Sequence, residues 1–277
     1  MGPSRRTLAI VAITTTLVSC SSRPLPATTP TIPVETMCIY TMTATYPLAV
    51  DLTTAYNESH PRQGFDIRYA NYRTMMENLN NGDVSYFITS HLPTNSAIWA
   101  APIGQDAIAI IANADVDLRE LTTGQLRAIY QGHITQWSEL GGSQQAIVVF
   151  SREDGSGTRA EFERMVMGYR RTTANALVVS SSALMAERVA QQSGSIGYLS
   201  MGYLEDSVIT LALDGILPTR DNVLNNLYPL RSMVFVVGLD EPEGRFRTLV
   251  GWMQSPEGQA VVAQRYAPLI PGVPVAE

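Results

Sequence analysis

Apolar positions along this chain alternate between short continuous runs and sets spaced three or four residues apart. Residues 37–40 form a first strand-like run. Pro47 then opens a helix whose Leu48, Leu52, Ala55 and Tyr56 share one face. A short strand over 65–69 follows, then a helix bearing Met75, Met76 and Leu79 that ends near Gly82, then a strand over 84–88. Residues 107–112 are apolar throughout, too long a run for a half-exposed edge. Thr122 and Gln125 are spaced as a capping box for a helix carrying Leu126, Ile129 and Tyr130 and closed by Gly132. Strands over 146–150, 195–199, 208–213 and 232–237 and a helix around 183–192 come next. Two terminal helices complete the pattern, the last begun by Ser255-Pro256. Such alternation predicts an α/β fold with largely parallel pairing, in which ligands sit at the carboxyl ends of the strands.

One of those strand ends carries Ser151-Arg152-Glu153-Asp154-Gly155-Ser156-Gly157-Thr158, after which Phe162, Met165 and Val166 fall at helical spacing. Thr158 with Glu161 three residues on predicts a capping box there. The loop brings one Arg, two hydroxyls and several unpaired backbone N–H groups to a helix start, which is the chemistry of an anion site. Arg offers a planar fork to a tetrahedral oxyanion, and Ser156 and Thr158 add donors. The same residues also fit a capped turn with a solvated Arg, and locally the two readings stand level.

With 277 residues the chain can bury a sizeable core as one large or two modest domains. All 19 basic residues are Arg, which removes every Lys-based mechanism, including Schiff bases and a P-loop. The formal charge is −6, and becomes −8 once residues 1–19, which hold Arg5 and Arg6 and no acid, are set aside. An acidic chain without a basic run is a poor nucleic-acid binder. An anion site here would work through local dipoles and one Arg against the net field.

At the N-terminus Arg5 and Arg6 precede an apolar stretch, 8–18, too short to span a bilayer comfortably. It ends in Leu17-Val18-Ser19-Cys20, which resembles the lipobox of bacterial lipoproteins, where cleavage precedes a Cys that becomes lipid-modified. Residues 1–19 are therefore expected to be a signal peptide and Cys20 the lipidation site. Residues 20–35 read as a Pro/Ser/Thr-rich tether. The protein is then extracytoplasmic and lipid-anchored to the bacterial cell membrane; an uncleaved anchor with an incidental thiol is the alternative. Ser4-Arg5-Arg6-Thr7-Leu8 also loosely resembles a twin-Arg export signal. With Cys20 acylated, Cys38 has no intrachain partner, and its apolar run predicts a small buried hydrophobe.

Four stretches resemble the phosphate-binding lipoproteins and periplasmic proteins that serve phosphate ABC transporters. They are residues 121–142, the loop Arg152-Glu-Asp-Gly-Ser-Gly-Thr158, Ser195-Ile-Gly-Tyr-Leu199, and the closing segments 214–223, Tyr228-Pro-Leu and Ser255-Pro-Glu-Gly-Gln259. Together they extend over about residues 37–270. The resemblance implies a two-lobed periplasmic-binding-protein (type II) fold, with hinge strands and a ligand cleft between α/β lobes. Lobe 1 would comprise 36–113 plus 229–277 and lobe 2 114–228, with crossings near 103–113 and 228–237.

The resemblance carries over Arg152, Ser156, Gly157 and Thr158 as ligand-binding residues. Asp154 stands as the acid that orients the Arg, or as a plain turn acid. Thr45 and Tyr46 match a first loop that gives a hydroxyl and a backbone N–H at a helix start, although the expected glycines are absent; an N-cap and a core aromatic are the alternative. The second loop departs, with Tyr69-Ala70-Asn71-Tyr72-Arg73-Thr74 in place of a Gly-Ser-rich turn. There Arg73 would add a second charge or Tyr72 would fill the cleft. Ser90 matches the third loop. His91 stands where members carry Asp or Arg, and could accept from a protonated phosphate or donate to it, or be a satisfied cleft residue.

By this resemblance the chain is a monomeric solute-binding lipoprotein that captures inorganic phosphate, or a related oxyanion, for the membrane permease of an ABC transporter. The alternative is a sensor or interaction lipoprotein on the same scaffold that binds another oxyanion or phosphorylated ligand, or none. Catalysis, a cofactor and a metal are not expected, since His60, His91 and His133 are scattered and Glu153 and Asp154 are adjacent in a turn.

Overall fold

The computed structural model describes Gly2, residues 35–94 and residues 97–271. The expected signal peptide, Cys20 and tether lie outside the described residues, apart from Gly2 and Glu35. Among the described residues no helix is long and apolar enough to cross a membrane.

The sheet is organised by one long strand. β1 (Glu35–Met42) lies parallel between β2 (Gln63–Ala70) and β3 (Tyr86–Thr89). β10 (Arg231–Gly238) runs antiparallel to β3 on one side and to β4 (Trp99–Ala112) on the other. β10 pairs only with residues 99–107 of β4. Residues 108–112 pair instead with β8 (Ser195–Ser200), and the last three of them also with β9 (Ile209–Leu213). Beyond β8 lie β6 (Val148–Arg152) and β7 (Leu177–Val179), both parallel, while β5 (Glu120–Leu121) pairs with β9. β4 thus carries the chain from one half of the sheet to the other, giving the expected two-lobed α/β architecture with hinge strands. The expectation of largely parallel pairing is corrected, because the strands that cross between the halves, β4 and β10, pair antiparallel throughout.

The strand span of β4 is longer than the apolar run that announced it, because Gln105 and Asp106 interrupt the pattern yet are buried. β5, β7 and α6 (Arg220–Leu224) were not expected; each has five residues or fewer, too few to show a period. Cys38 corrects its expectation. The thiol is exposed, because β1 covers only one face in its first half and Cys38 stands opposite Asp66 of β2 on the open one.

Helices form where caps and apolar faces agree. α1 (Tyr46–Ser59) carries Pro47 in its first turn and buries Leu48, Leu52 and Tyr56. α2 (Tyr72–Asn81) is capped by Asn71, which accepts from the Thr74 N–H at 3.0 Å. α3 (Thr123–Gln131) has the full capping box, with Thr122 Oγ1 accepting from the Gln125 N–H at 3.1 Å and Gln125 Oε1 from the Thr122 N–H at 2.7 Å. α5 (Ser182–Gln191) packs on β8. α7 (Gly244–Met253) and α8 (Pro256–Arg265) pack on each other and on α1. In the second half, Phe162 stacks on Tyr198 with ring centroids 4.1 Å apart, and the Tyr130 hydroxyl donates to the Phe150 carbonyl at 3.0 Å. That buried aromatic cluster fixes the strand end from which the 152–158 loop departs.

Candidate functional site

The Arg152 loop begins at the carboxyl end of β6 and runs into α4 (Gly157–Phe162), which continues as a π turn over Glu163–Met167. Tyr198 of β8 anchors its root: the buried phenol accepts from the Arg152 N–H at 3.2 Å and shares a 3.0 Å hydrogen bond with Ser151 Oγ. Burial pushes this phenol up to about 12, so it stays protonated. The helix start differs from the expected capping box. Ser156, not Thr158, is the N-cap, and its Oγ accepts from the Arg159 N–H at 3.3 Å. Thr158 lies inside the first turn, and Glu161 is drawn to His91 and Arg164 instead.

Arg152 is 1% exposed and almost fully bound by protein. Nε and Nη2 donate to the two Glu153 oxygens at 2.9 and 3.2 Å. Nη1 donates to Ser182 Oγ at 3.3 Å and Nη2 to Thr43 Oγ1 at 3.1 Å. Of the five guanidinium N–H groups, one on Nη1 has no protein acceptor among the described residues. Asp154 does not orient Arg152. Its carboxylate accepts from Arg73 Nη1 at 2.7 Å, and that contact holds it below the usual Asp range. Glu153, adjacent in sequence and closer to the buried fork, takes the orienting role.

The second and third loops meet this one directly. The Arg73 N–H donates to the Gly155 carbonyl at 3.1 Å. Gly155 has φ +84°, and a Cβ there would stand 2.9 Å from Arg73 Cβ. Arg73 bridges to Asp154, and Tyr72 stacks edge-on against His91 at 4.5 Å. A Cβ on Gly157 would stand 2.8 Å from Met42 Sδ and 2.9 Å from His91 Cβ, so glycine is what permits this approach. His91 Nδ1 lies 2.7 Å from Glu161 Oε1. Burial would raise Glu161, but the hydrogen bond with His91 and the Arg164 ion pair outweigh it and hold the carboxylate low.

The first loop is a buried 3-10 turn, Thr43–Thr45. Its carbonyls are held from the other side, Thr43 by the Tyr203 hydroxyl at 2.7 Å and Ala44 by the Tyr266 hydroxyl at 3.2 Å. The Thr45 hydroxyl turns inward, 3.1 Å from the Ile88 carbonyl and 2.8 Å from Thr41 Oγ1. Tyr46 meets Tyr69 edge-on at 4.9 Å. Ser90 is buried and faces the carboxyl of Asp106. Arg152, Ser156, Gly157, Arg73, Asp154 and His91 thus lie in one contact region, with Thr158 buried in the same helical turn and Thr43 as the reach of the first loop into it.

The family described as the PBP superfamily domain matches residues 27–244. The chain belongs to the PBP superfamily. Among curated relatives, it is 31% identical over 165 residues to the phosphate-binding protein PstS of Bacillus subtilis, across 58% of this chain and 55% of that one. It is 29% identical over 195 residues to PstS of Pseudomonas aeruginosa, across 61% and 60%. The alignments thus span a little over half the length of these relatives. A phosphate ABC transporter substrate-binding protein of Clostridium perfringens, solved with bound phosphate, superposes with TM-score 0.80 at 28% identity, over 85% of this chain and all of that one. An ABC-type phosphate transport receptor of Vibrio cholerae superposes with TM-score 0.68 at 25% identity, over 83% and 99%.

Within the PBP superfamily frame, several contributors had escaped sequence reasoning. Glu161, Thr43, Tyr203 and Ser182 reach the site through tertiary contacts that leave no local pattern, and Glu153 through its chain neighbour Arg152. Asp106 did leave a signal, as an acid standing with Gln105 directly before the apolar run 107–112.

Proposed function

We propose that this protein captures inorganic phosphate, or a closely related oxyanion, between its two halves and delivers it to the membrane permease of an ABC transporter. The observation that carries the reading is the β6–α4 loop itself: the buried Arg152 keeps one Nη1 N–H without a protein acceptor among the described residues, Ser156 caps α4, Thr158 is buried in its first turn, and Gly157 lies against Met42 and His91 of the facing loops. Each charge-assisted hydrogen bond contributes on the order of 1.5–3 kcal/mol, so a few on one anion reach micromolar affinity. The phosphate-binding names of the relatives and the bound phosphate of the Clostridium perfringens structure support the same ligand class.

In this reading residues 36–113 plus 229–277 form one lobe and 114–228 the other. Closure brings Ser90, Thr45 and Tyr46 of the first lobe to the anion held by Arg152, Ser156, Gly157 and Thr158. The protein works outside the cytoplasm as a monomer, tethered through a lipid on Cys20, and performs no catalytic step. A thermal-shift panel of phosphate, sulfate and organic phosphates tests it: stabilisation by phosphate is expected, and no shift with any anion contradicts it.

One observation favours a second reading. The Arg73–Asp154 pair and the close approach of Met42 to Gly157 join the facing loops with protein groups. A sensor or interaction lipoprotein on this scaffold would show binding of a different oxyanion or phosphorylated ligand in that panel, or none.

A further inference from the structure

His91 follows the end of β3, in the half of the sheet built on β1, β3 and β10. Glu161 lies on α4, which follows β6 in the half built on β6, β7 and β8. His91 Nδ1 and Glu161 Oε1 are 2.7 Å apart, so this contact crosses between the halves. Both side chains are shielded, 14% and 8% exposed. Each is set in place by its own half. The His91 N–H donates to Thr89 Oγ1 at 3.0 Å, that hydroxyl donates to the His91 carbonyl at 2.8 Å, and Tyr72 of α2 meets the imidazole edge-on. Arg164, one turn along from Glu161, donates to Oε2 through Nη2 at 2.6 Å and Nε at 3.0 Å. Burial would raise Glu161, but the bonds from His91 and Arg164 hold it below the usual Glu range. It therefore stands as a carboxylate, and Nδ1 carries the shared proton.

We propose that His91 and Glu161 form a latch across the cleft, holding the two halves closed whether or not an anion is bound. The inference rests on the two-half closure of the reading above, not on which anion is taken. Every atom in the latch belongs to the protein, so the bond forms without a ligand. Magnitudes single it out among the links between the facing loops. Arg73 and Asp154 are 56% and 78% exposed, and solvent screens that pair. The bond from Arg152 Nη2 to Thr43 is made by a guanidinium already compensated by Glu153. The His91–Glu161 bond is shielded and charge-assisted, and its preorganised ends lose little side-chain entropy on closing. One such bond shifts a closing equilibrium by about tenfold or more. An anion must then wait for the latch to open, and leaves by the same opening. The latch therefore slows both entry and exit, and alters affinity less than either rate. A group that touched only the anion would change mainly the exit rate.

Small-angle X-ray scattering of the full chain, without ligand and in saturating phosphate, tests the latch, with circular dichroism separating opening from unfolding. The ligand-free wild type should have the radius of gyration of the phosphate-bound protein. His91→Ala and Glu161→Ala should both be wider without ligand and contract when phosphate is added. His91→Asn, whose amide keeps a donor in the Nδ1 position, should stay as compact as the wild type. In stopped flow, both alanine variants should bind and release phosphate faster, each rate by about tenfold, with affinity moved by less. A ligand-free wild type wider than its phosphate-bound form, or alanine variants as compact as the wild type, overturns the inference. So does faster release without faster entry in His91→Ala. If the wild type binds no phosphate, the oxyanion reading falls alone, and ligand-free scattering of wild type and variants still decides the latch.

Discussion

Arg152 pairs with its immediate neighbour Glu153, through Nε and Nη2 at 2.9 and 3.2 Å, and leaves Asp154 to Arg73 of the opposite half. Two adjacent acids are thereby divided between a buried cation and an exposed one. The division has an energetic consequence. Glu153→Gln strips most of the charge compensation from a 1% exposed guanidinium and should lower stability by about 2 kcal/mol, the reduced cost of breaking a partly screened buried pair. Asp154→Asn breaks a solvent-screened pair and should leave the urea midpoint near the wild-type value. Equal destabilisation of the two variants in urea denaturation contradicts the assignment.

Gly157 provides a second check. A methyl group there meets Met42 Sδ at 2.8 Å and His91 Cβ at 2.9 Å. Alanine is otherwise the better helix former by about 1 kcal/mol, so an isolated helix would gain. Gly157→Ala should instead destabilise the protein by about 1–2 kcal/mol and weaken anion binding, because the loop must back away from the first half. Met42→Ala in the same chain should recover part of the lost affinity. Additive losses in the double variant would remove Met42 from the account.

Arg73 bears on ligand release. Its side chain is 56% exposed and bridges to Asp154, with its N–H on the Gly155 carbonyl. Arg73→Ala should leave thermal stability nearly unchanged, while ligand dissociation in stopped flow accelerates about threefold, the scale of an exposed pair. Association should change less than dissociation. Unchanged dissociation means the bridge does not hold the cleft shut.

The buried Asp106 also shapes stability against pH. Its folded value is raised to about 7 from 3.8, so between those values the folded state holds a proton that the unfolded state has released. Stability from this group is fully present below the unfolded value and is lost as pH rises through the folded one. The total is about 4 kcal/mol at 1.36 kcal/mol per unit. Asp106→Asn should flatten that slope and raise stability at about pH 8, measured by urea denaturation. A steeper fall for the variant than for the wild type contradicts the sign.

Much of the architecture is legible in the sequence. The capping box at Thr122 and Gln125, the glycine stop at Gly132 and the Ser255-Pro256 start are local signals, and each formed as spelled. The passage from strand to helix through residues 152–158 was legible for the same reason. What escaped depends on distance in sequence. Thr158 and Glu161 had the right spacing for a capping box, but His91 lies 70 residues away and Arg164 one turn along, and together they claim the carboxylate. Asp154 seemed the natural partner for Arg152 until Arg73, 81 residues distant, took it. Cys38 read as buried from its apolar neighbours, yet strand alternation set Ile39 inward and the thiol outward.

The central claim is that the loop carrying Arg152 holds an inorganic oxyanion. Calorimetric titration of phosphate into the wild type and Arg152→Ala tests it most directly, with circular dichroism confirming that the variant is folded. Micromolar binding by the wild type and at least a tenfold loss in the variant are expected from removing one charge-assisted donor. A folded variant with unchanged phosphate affinity contradicts the site.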